Sequence, residues 1–102
     1  MTPEQRHMGL CARTGCVICR EHLGIRTQGQ VHHVADGTNP RDDFMVACLC
    51  EGHHQGNLPQ PMGLEKVAVH KGVKRFCLIY EQPNEYYLIG LQNKYLAIDG
   101  LR

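Results

Sequence analysis

Two ligand pairs of matched spacing stand out in this chain. Cys16 and Cys19 form a C-x2-C pair, and Cys50 and His53 form a C-x2-H pair with the same internal spacing. Zinc takes four nitrogen or sulfur ligands in a tetrahedron, and a C-x2-C turn presents two thiolates to one ion. These four residues are therefore expected to hold a structural zinc, with a hairpin inserted between the pairs and both pairs at its base. Cys11 is a spare candidate ligand. Cys48 stands two residues before Cys50, a spacing that puts both on one face of a strand. Cys48 and Cys77 are expected to pack in the core, as free cysteines commonly do.

A second constellation is histidine-only. His32-His33 and His53-His54 are adjacent pairs, and neighbours on a strand point to opposite faces. A division of labour between metal ligand and base suits such a pair. If His53 completes the zinc, His54 is directed elsewhere, and a second metal shared with His32 is the natural destination. His70 could close that site. Phosphodiester hydrolysis needs a metal to stabilise phosphate charge and the leaving oxygen, a base to activate water, and positioning groups. A neutral imidazole titrates close to working pH and makes a good base. His7 and His22 read as surface or satisfied core residues.

The elements that must position these groups are short. Residues 1–29 are polar and glycine-containing, Gln30–Ala35 reads as a strand, and Asp36–Pro40 is a dense turn signal. Phe44–Cys50 reads as the second strand of a hairpin. The His53-His54 pair could open a helix or a loop, and residues 56–63, with their Gly and Pro, read as a loop. His70–Tyr80 carries Val73, Phe76, Cys77 and Tyr80 on one apolar stripe. Pro83 ends that helix and Asn84 is a credible N-cap for the next. There Leu88, Leu91, Tyr95 and Ile98 repeat the stripe, and Gly100 marks the end. The expected class is α+β, a single domain over 1–102 with a polar segment (1–15), a metal-binding hairpin core (16–69) and a helical hairpin (70–99).

Composition supports a metal staple. The 102 residues include no tryptophan, two Phe and four Tyr, which is thin material for a core, beside six Cys and seven His. A chain this small buries only part of its surface, so a bound ion would help noticeably. The formal charge of +1, from 11 Lys+Arg against 10 Asp+Glu, does not announce a nucleic-acid binder, and any basic surface must be local. No apolar run approaches the roughly 20 residues of a membrane helix. The first residues lack the apolar segment of a secretory signal, so a cytoplasmic location with reduced thiols is expected. Six cysteines could also build a disulfide framework, but their interleaving with histidines at ligand spacing favours metal.

In the order Cys16-x2-Cys19, then Val31-His32-His33-Val34, then Cys48-Leu-Cys50-Glu-Gly-His53-His54-Gln-Gly-Asn57, the chain resembles the HNH (ββα-metal) endonuclease superfamily. Within it, the sequence is similar to the phage recombination-enhancement Ref-type nucleases. The later His70-Lys-Gly-Val-Lys-Arg-Phe76 run and the Tyr80–Leu96 region extend the likeness, which covers most of residues 16–97. The resemblance implies a zinc-stabilised ββα-metal domain that cuts DNA, in association with a RecA-type recombinase filament. It implies that His33 is the general base, and that His32 and His54 hold a catalytic divalent ion (Mg, Mn or Zn), with His70 as a candidate third ligand. It also implies that Cys16, Cys19, Cys50 and His53 hold structural zinc. HNH enzymes usually carry a middle asparagine that orients the base. Here that region reads Asn39-Pro-Arg-Asp-Asp-Phe44, and Asp43 or Asn39 takes its place. The expected phosphate contacts are Arg41, Lys66, Lys71, Lys74 and Arg75. The alternative function is a noncatalytic zinc-binding module for nucleic acid or protein.

Overall fold

The computed structural model describes residues 1–34, 42–60 and 66–102. The end of the first predicted strand at Ala35, the turn at 36–40, Asn39, Arg41 and positions 61–63 of the predicted loop lie outside the described residues. The described elements are helix α1 (Pro3–Arg13), strands β1 (Gln30–His33) and β2 (Val46–Leu49), helix α2 (Glu51–His54), helix α3 (Val73–Ile79) and helix α4 (Tyr87–Ile98). A five-residue π turn at Cys19–Leu23 follows the first cysteine pair, and a 3-10 turn at Val69–Lys71 precedes α3. The class is α+β, as expected.

The first helix departs from the expectation of a merely polar segment over residues 1–15. Its start is nonetheless written in the sequence. Thr2 accepts from the backbone of Gln5, the Gln5 side chain returns a bond to the Thr2 backbone, and Pro3 occupies the first turn. That is a capping box with its proline in the favoured place. The helix buries His7 and Cys11 against the sheet.

β1 and β2 pair antiparallel, with His32 opposite Ala47 and His33 opposite Val46. All four residues of β2 are buried, so both faces of the strand are covered. Side-chain alternation splits them between two cores. Ala47 and Leu49 join Cys16, Cys19, Cys50, Phe76, Tyr80, Leu88 and Tyr95 in one cluster. Val46 joins Cys11 and Leu96 in the other, where Val31 and Met8 also pack. Opposed residues share a face, so His32 lies on the side of the cysteine cluster and His33 on the other. β2 ends at Leu49, and Cys50 becomes the residue before α2. The expected same-face pairing of Cys48 with Cys50 therefore does not arise.

The predicted helix over 70–80 is divided at Gly72, whose φ of 152° separates the 3-10 turn from α3. Phe76, Cys77 and Tyr80 are buried as expected, whereas Val73 is 42% exposed. In α4, Leu88 and Tyr95 are buried but Ile98 is 61% exposed, and Gln92 and Leu96 lie inside instead. Gln92 is tolerated there because its amide is fully used: Oε1 accepts from the Cys48 backbone (2.7 Å) and Nε2 donates to Thr14 (2.9 Å). Asn84 caps the turn before α4, accepting from Tyr86 N at 2.9 Å, and does not cap the helix itself. Gly100, at φ 69°, closes α4 in a left-handed turn, with Leu101 N bonded to Leu96 O. The Arg20 guanidinium then ties the cysteine knuckle to this end of α4 through two bonds to Asp99, 2.8 and 2.9 Å. Among the described residues, no helix is long and apolar enough to cross a membrane.

Candidate metal centres

The four residues of the two ligand pairs meet in the interior. Cys16, Cys19, Cys50 and His53 are all buried, and their ligand atoms lie within 4.8 Å of one another. His53 Nδ1 stands 3.5, 3.5 and 3.3 Å from the sulfurs of Cys16, Cys19 and Cys50, and the Cys19 and Cys50 sulfurs are 3.7 Å apart. A tetrahedron with ordinary zinc–sulfur and zinc–nitrogen bonds has S···N edges of about 3.6 Å and S···S edges of about 3.8 Å. The observed edges agree to within a few tenths of an ångström. All six cysteines are free thiols.

The electrostatics of the cluster also suits a cation. Hydrogen bonds from Cys16 and Cys19 drive the Cys50 thiol far down, while the sulfurs of Cys19 and Cys50 drive Cys16 far up. A divalent ion among the three sulfurs would let them ionise together. Burial pulls His53 down, but the sulfurs of Cys19 and Cys50 outweigh it and raise its pKa. The Tyr80 ring stands edge-on against His53, 4.9 Å between centroids. Lys66 directs its ammonium at Cys50 Sγ, 3.3 Å away, which places one positive charge against the thiolates.

Local structure explains how each ligand arrives. Cys19 N donates to Cys16 Sγ (3.4 Å) in the knuckle. Cys50 stands in extended conformation just before α2, and one turn of that helix brings His53 back toward it. Cys11 does not join: it lies with Val46 and Leu96, 3.5 Å from His7 Nε2. Cys48 and Cys77 are buried packing residues, as expected. His7 is a satisfied core histidine, bonded to Cys11 and to Arg102. His22 lies at the surface against Tyr80.

Three histidines form the second group. His32 from β1, His54 from α2 and His70 from the 3-10 turn bring their ligand atoms within 4.8 Å of one another. Their ring centroids are 5.1 Å (His32–His54), 5.3 Å (His32–His70) and 4.6 Å (His54–His70) apart, every pair edge-on. His32 and His54 are buried and His70 is exposed, so the group opens to solvent on one side. Burial first, and then the charges of His32 and His70, push the His54 pKa down to about 4. A neutral imidazole keeps the lone pair that a metal needs. Three protein nitrogens with an open side are the donor set of a reactive metal site, whereas the closed four-ligand cluster is that of a structural one.

Acceptors hold two of these rings. His54 Nδ1 is 2.8 Å from Gln30 Oε1, and His32 Nε2 is 2.8 Å from Glu85 Oε1. Neither Gln30 nor Glu85 stands out in the sequence. Strand alternation could have found Gln30, two residues before His32 and so on its face. No local signal marks Glu85. On the other side of β1, His33 Nε2 lies 2.7 Å from Asp43 Oδ1, and both side chains reach solvent.

The predicted phosphate contacts divide between surfaces. Lys66, Lys71 and Arg75 line a cleft of about 240 Å³ with Gly56, Gln60, Val67 and Ala68. Lys74 lines a different groove, beside Val73, Cys77 and Leu78. The cleft adjoins the histidine group, because Lys71 shares the 3-10 turn with His70 and Ala68 immediately precedes it.

A family model described as recombination enhancement, RecA-dependent nuclease matches residues 1–95 of the chain. No curated protein and no solved structure matches it.

Proposed function

Because the chain belongs to the recombination-enhancement, RecA-dependent nuclease family, we propose that it is a metal-dependent DNA endonuclease of the HNH (ββα-metal) type. In this reading it hydrolyses phosphodiester bonds in phage or prophage recombination or DNA processing, within the cytoplasm of a bacterial host. The observation that carries it is the convergence of His32, His54 and His70 from β1, α2 and the 3-10 turn, beside a separate His33–Asp43 pair. A hairpin followed by a helical turn, with a histidine on each, is the arrangement that the ββα-metal name describes.

The residues take the following parts. Cys16, Cys19, Cys50 and His53 hold structural zinc and join the knuckle, the hairpin and α2. His32, His54 and His70 hold a divalent ion (Mg, Mn or Zn), which supplies positive charge for the phosphate and for the leaving oxygen. An ionised carboxylate only accepts, so Asp43 keeps the proton of His33 on Nε2 and leaves the Nδ1 lone pair for water. His33 takes a proton from that water as its oxygen bonds to phosphorus, and the bond to the leaving oxygen breaks. Asp43 thus takes the part of the orienting residue. Lys71 and Arg75, with Lys66 beside them, steer the phosphate backbone along the cleft, while Lys74, in a separate groove, and Arg41 are further proposed phosphate contacts. A surface with so few cations binds DNA modestly and with strong salt dependence, which suits delivery by a RecA-type filament already on DNA.

Plasmid nicking tests the proposal, with Mg, Mn or Zn supplied, with and without a recombinase filament, using wild type and His33→Ala. Cutting by the wild type and loss in the variant is expected. Equal cutting by both removes His33 from the base role. Zinc-loaded protein that binds DNA and never cuts it is a noncatalytic module.

A further inference from the structure

Glu85 is the one acidic side chain bonded to the three-histidine group among the described residues, and it comes from far away in the chain. It lies 53 positions after His32, in the turn that opens α4, yet its Oε1 sits 2.8 Å from His32 Nε2. Both side chains are largely out of solvent, 7% and 16% exposed. The turn is well held: Asn84 Oδ1 accepts from Tyr86 N, Glu85 O accepts from Leu88 N, and Leu88 is fully buried. A glutamate in a surface turn is ordinarily solvated. Glu85 instead reaches the ring that β1 contributes to the centre.

The group of ligand atoms that lie within 4.8 Å of one another contains His32, His54 and His70 and does not contain Glu85. The carboxylate touches one ring from outside the group. Building on the endonuclease reading, we infer that Glu85 is a positioning residue for the metal centre, which fixes the tautomer and orientation of His32. An ionised carboxylate only accepts, so the His32 proton sits on Nε2 and the lone pair is on Nδ1. Gln30 performs the same service for His54 from the opposite ring nitrogen, with a neutral amide oxygen. A carboxylate partner also makes its histidine a stronger donor than an amide does. The turn before α4 is thereby part of the centre, although it contributes no ligand of its own.

Cobalt binding to zinc-loaded protein tests this by calorimetry and visible absorption. The histidine site lacks the thiolate charge-transfer band, so exchange into the cysteine cluster is recognised at once. Glu85→Ala should weaken cobalt binding about 10- to 100-fold with zinc content and helicity unchanged. Glu85→Gln should recover most of the affinity, since its amide oxygen can accept the same bond. Wild-type affinity in Glu85→Ala overturns the inference and leaves the endonuclease reading standing. A Glu85→Gln variant as weak as Glu85→Ala, with an altered cobalt spectrum, makes Glu85 a direct ligand and also overturns it. A wild type that binds no second ion, as His54→Ala should not, brings down the histidine centre and with it both readings.

Discussion

His33 Nε2 and Asp43 Oδ1 lie 2.7 Å apart across the hairpin, on the face of β1 turned away from His32. Adjacent histidines thus have different partners: His32 meets a glutamate from the turn before α4, and His33 meets an aspartate from the turn before β2. Removing the imidazole of His33 should lower cutting by about 10²- to 10⁴-fold, the usual worth of a positioned general base. Asp43→Asn should lower kcat by less and leave metal content unchanged. Single-turnover cleavage with metal analysis on the same samples checks both. A His33→Ala variant that loses its metal as well would instead place His33 among the ligands.

The cysteine cluster should govern folding. The cysteine ligands from the knuckle and from the residue before α2 lie in the same core as Phe76, Leu88 and Tyr95. Removing the ion leaves three sulfurs and an imidazole crowded together in the interior with only hydrogen bonds to hold them, and structural zinc carries much of the folding free energy of small domains. A strong chelator, or Cys16→Ser, should abolish the cooperative thermal transition. Cys77→Ser should keep about one zinc per chain, because Cys77 is a packing residue. Elemental analysis and circular dichroism read both, and retention of zinc by Cys16→Ser would contradict the assignment.

Lys66 faces two ways. Its ammonium is 3.3 Å from Cys50 Sγ, and its stem lines the cleft with Lys71 and Arg75. Lys66→Met should speed the transfer of zinc to a chromogenic chelator severalfold. Lys71→Ala and Arg75→Ala should leave that rate unchanged. Each of these two should instead reduce the salt slope of DNA binding by about one. Fluorescence anisotropy across a salt series separates the two effects.

Acid should weaken the protein through His54. Burial first, and then the neighbouring imidazoles, hold its folded pKa at about 4, against an unfolded value near 6.5. Between these values the unfolded chain binds a proton that the folded chain refuses, so stability falls as pH drops through that window. Below about pH 4 both states are protonated and the loss levels off. The effect is at most about 3 kcal/mol. Urea unfolding of the zinc-loaded protein, without other divalent ions, should show wild type losing stability relative to His54→Gln from pH 6.5 to 4. A constant difference between them would mean that His54 titrates normally.

Much of the site is legible in the sequence because metal chemistry imposes local spacing. C-x2-C and C-x2-H are each set by one turn of backbone, so Cys16, Cys19, Cys50 and His53 are recognisable as pairs from their positions alone. The first helix has a local signal too, in Thr2, Pro3 and Gln5, although the helix is polar on average and one of its two buried residues is a histidine. Helix α4 shows where periodicity misleads. Ile98 fits the stripe but faces water, and Gln92 breaks it but is buried by two well-placed partners, the Cys48 amide and Thr14.

By itself, then, the sequence determined which side chains could bind a metal, that two kinds of ligand set were present, and that a hairpin and helices would carry them. Only the tertiary structure decided that the members of each set come together in space, that His70 joins His32 and His54, and what stood behind each ring. His32 and His54 come together because α2 folds back on β1, and His70 joins because the 3-10 turn packs on α2. Glu85 reaches His32 from the turn before α4, a helix that packs on β2, and Asp43 reaches His33 from the turn before β2. Such contacts depend on packing between distant segments, which buries area without leaving any periodic mark on the chain.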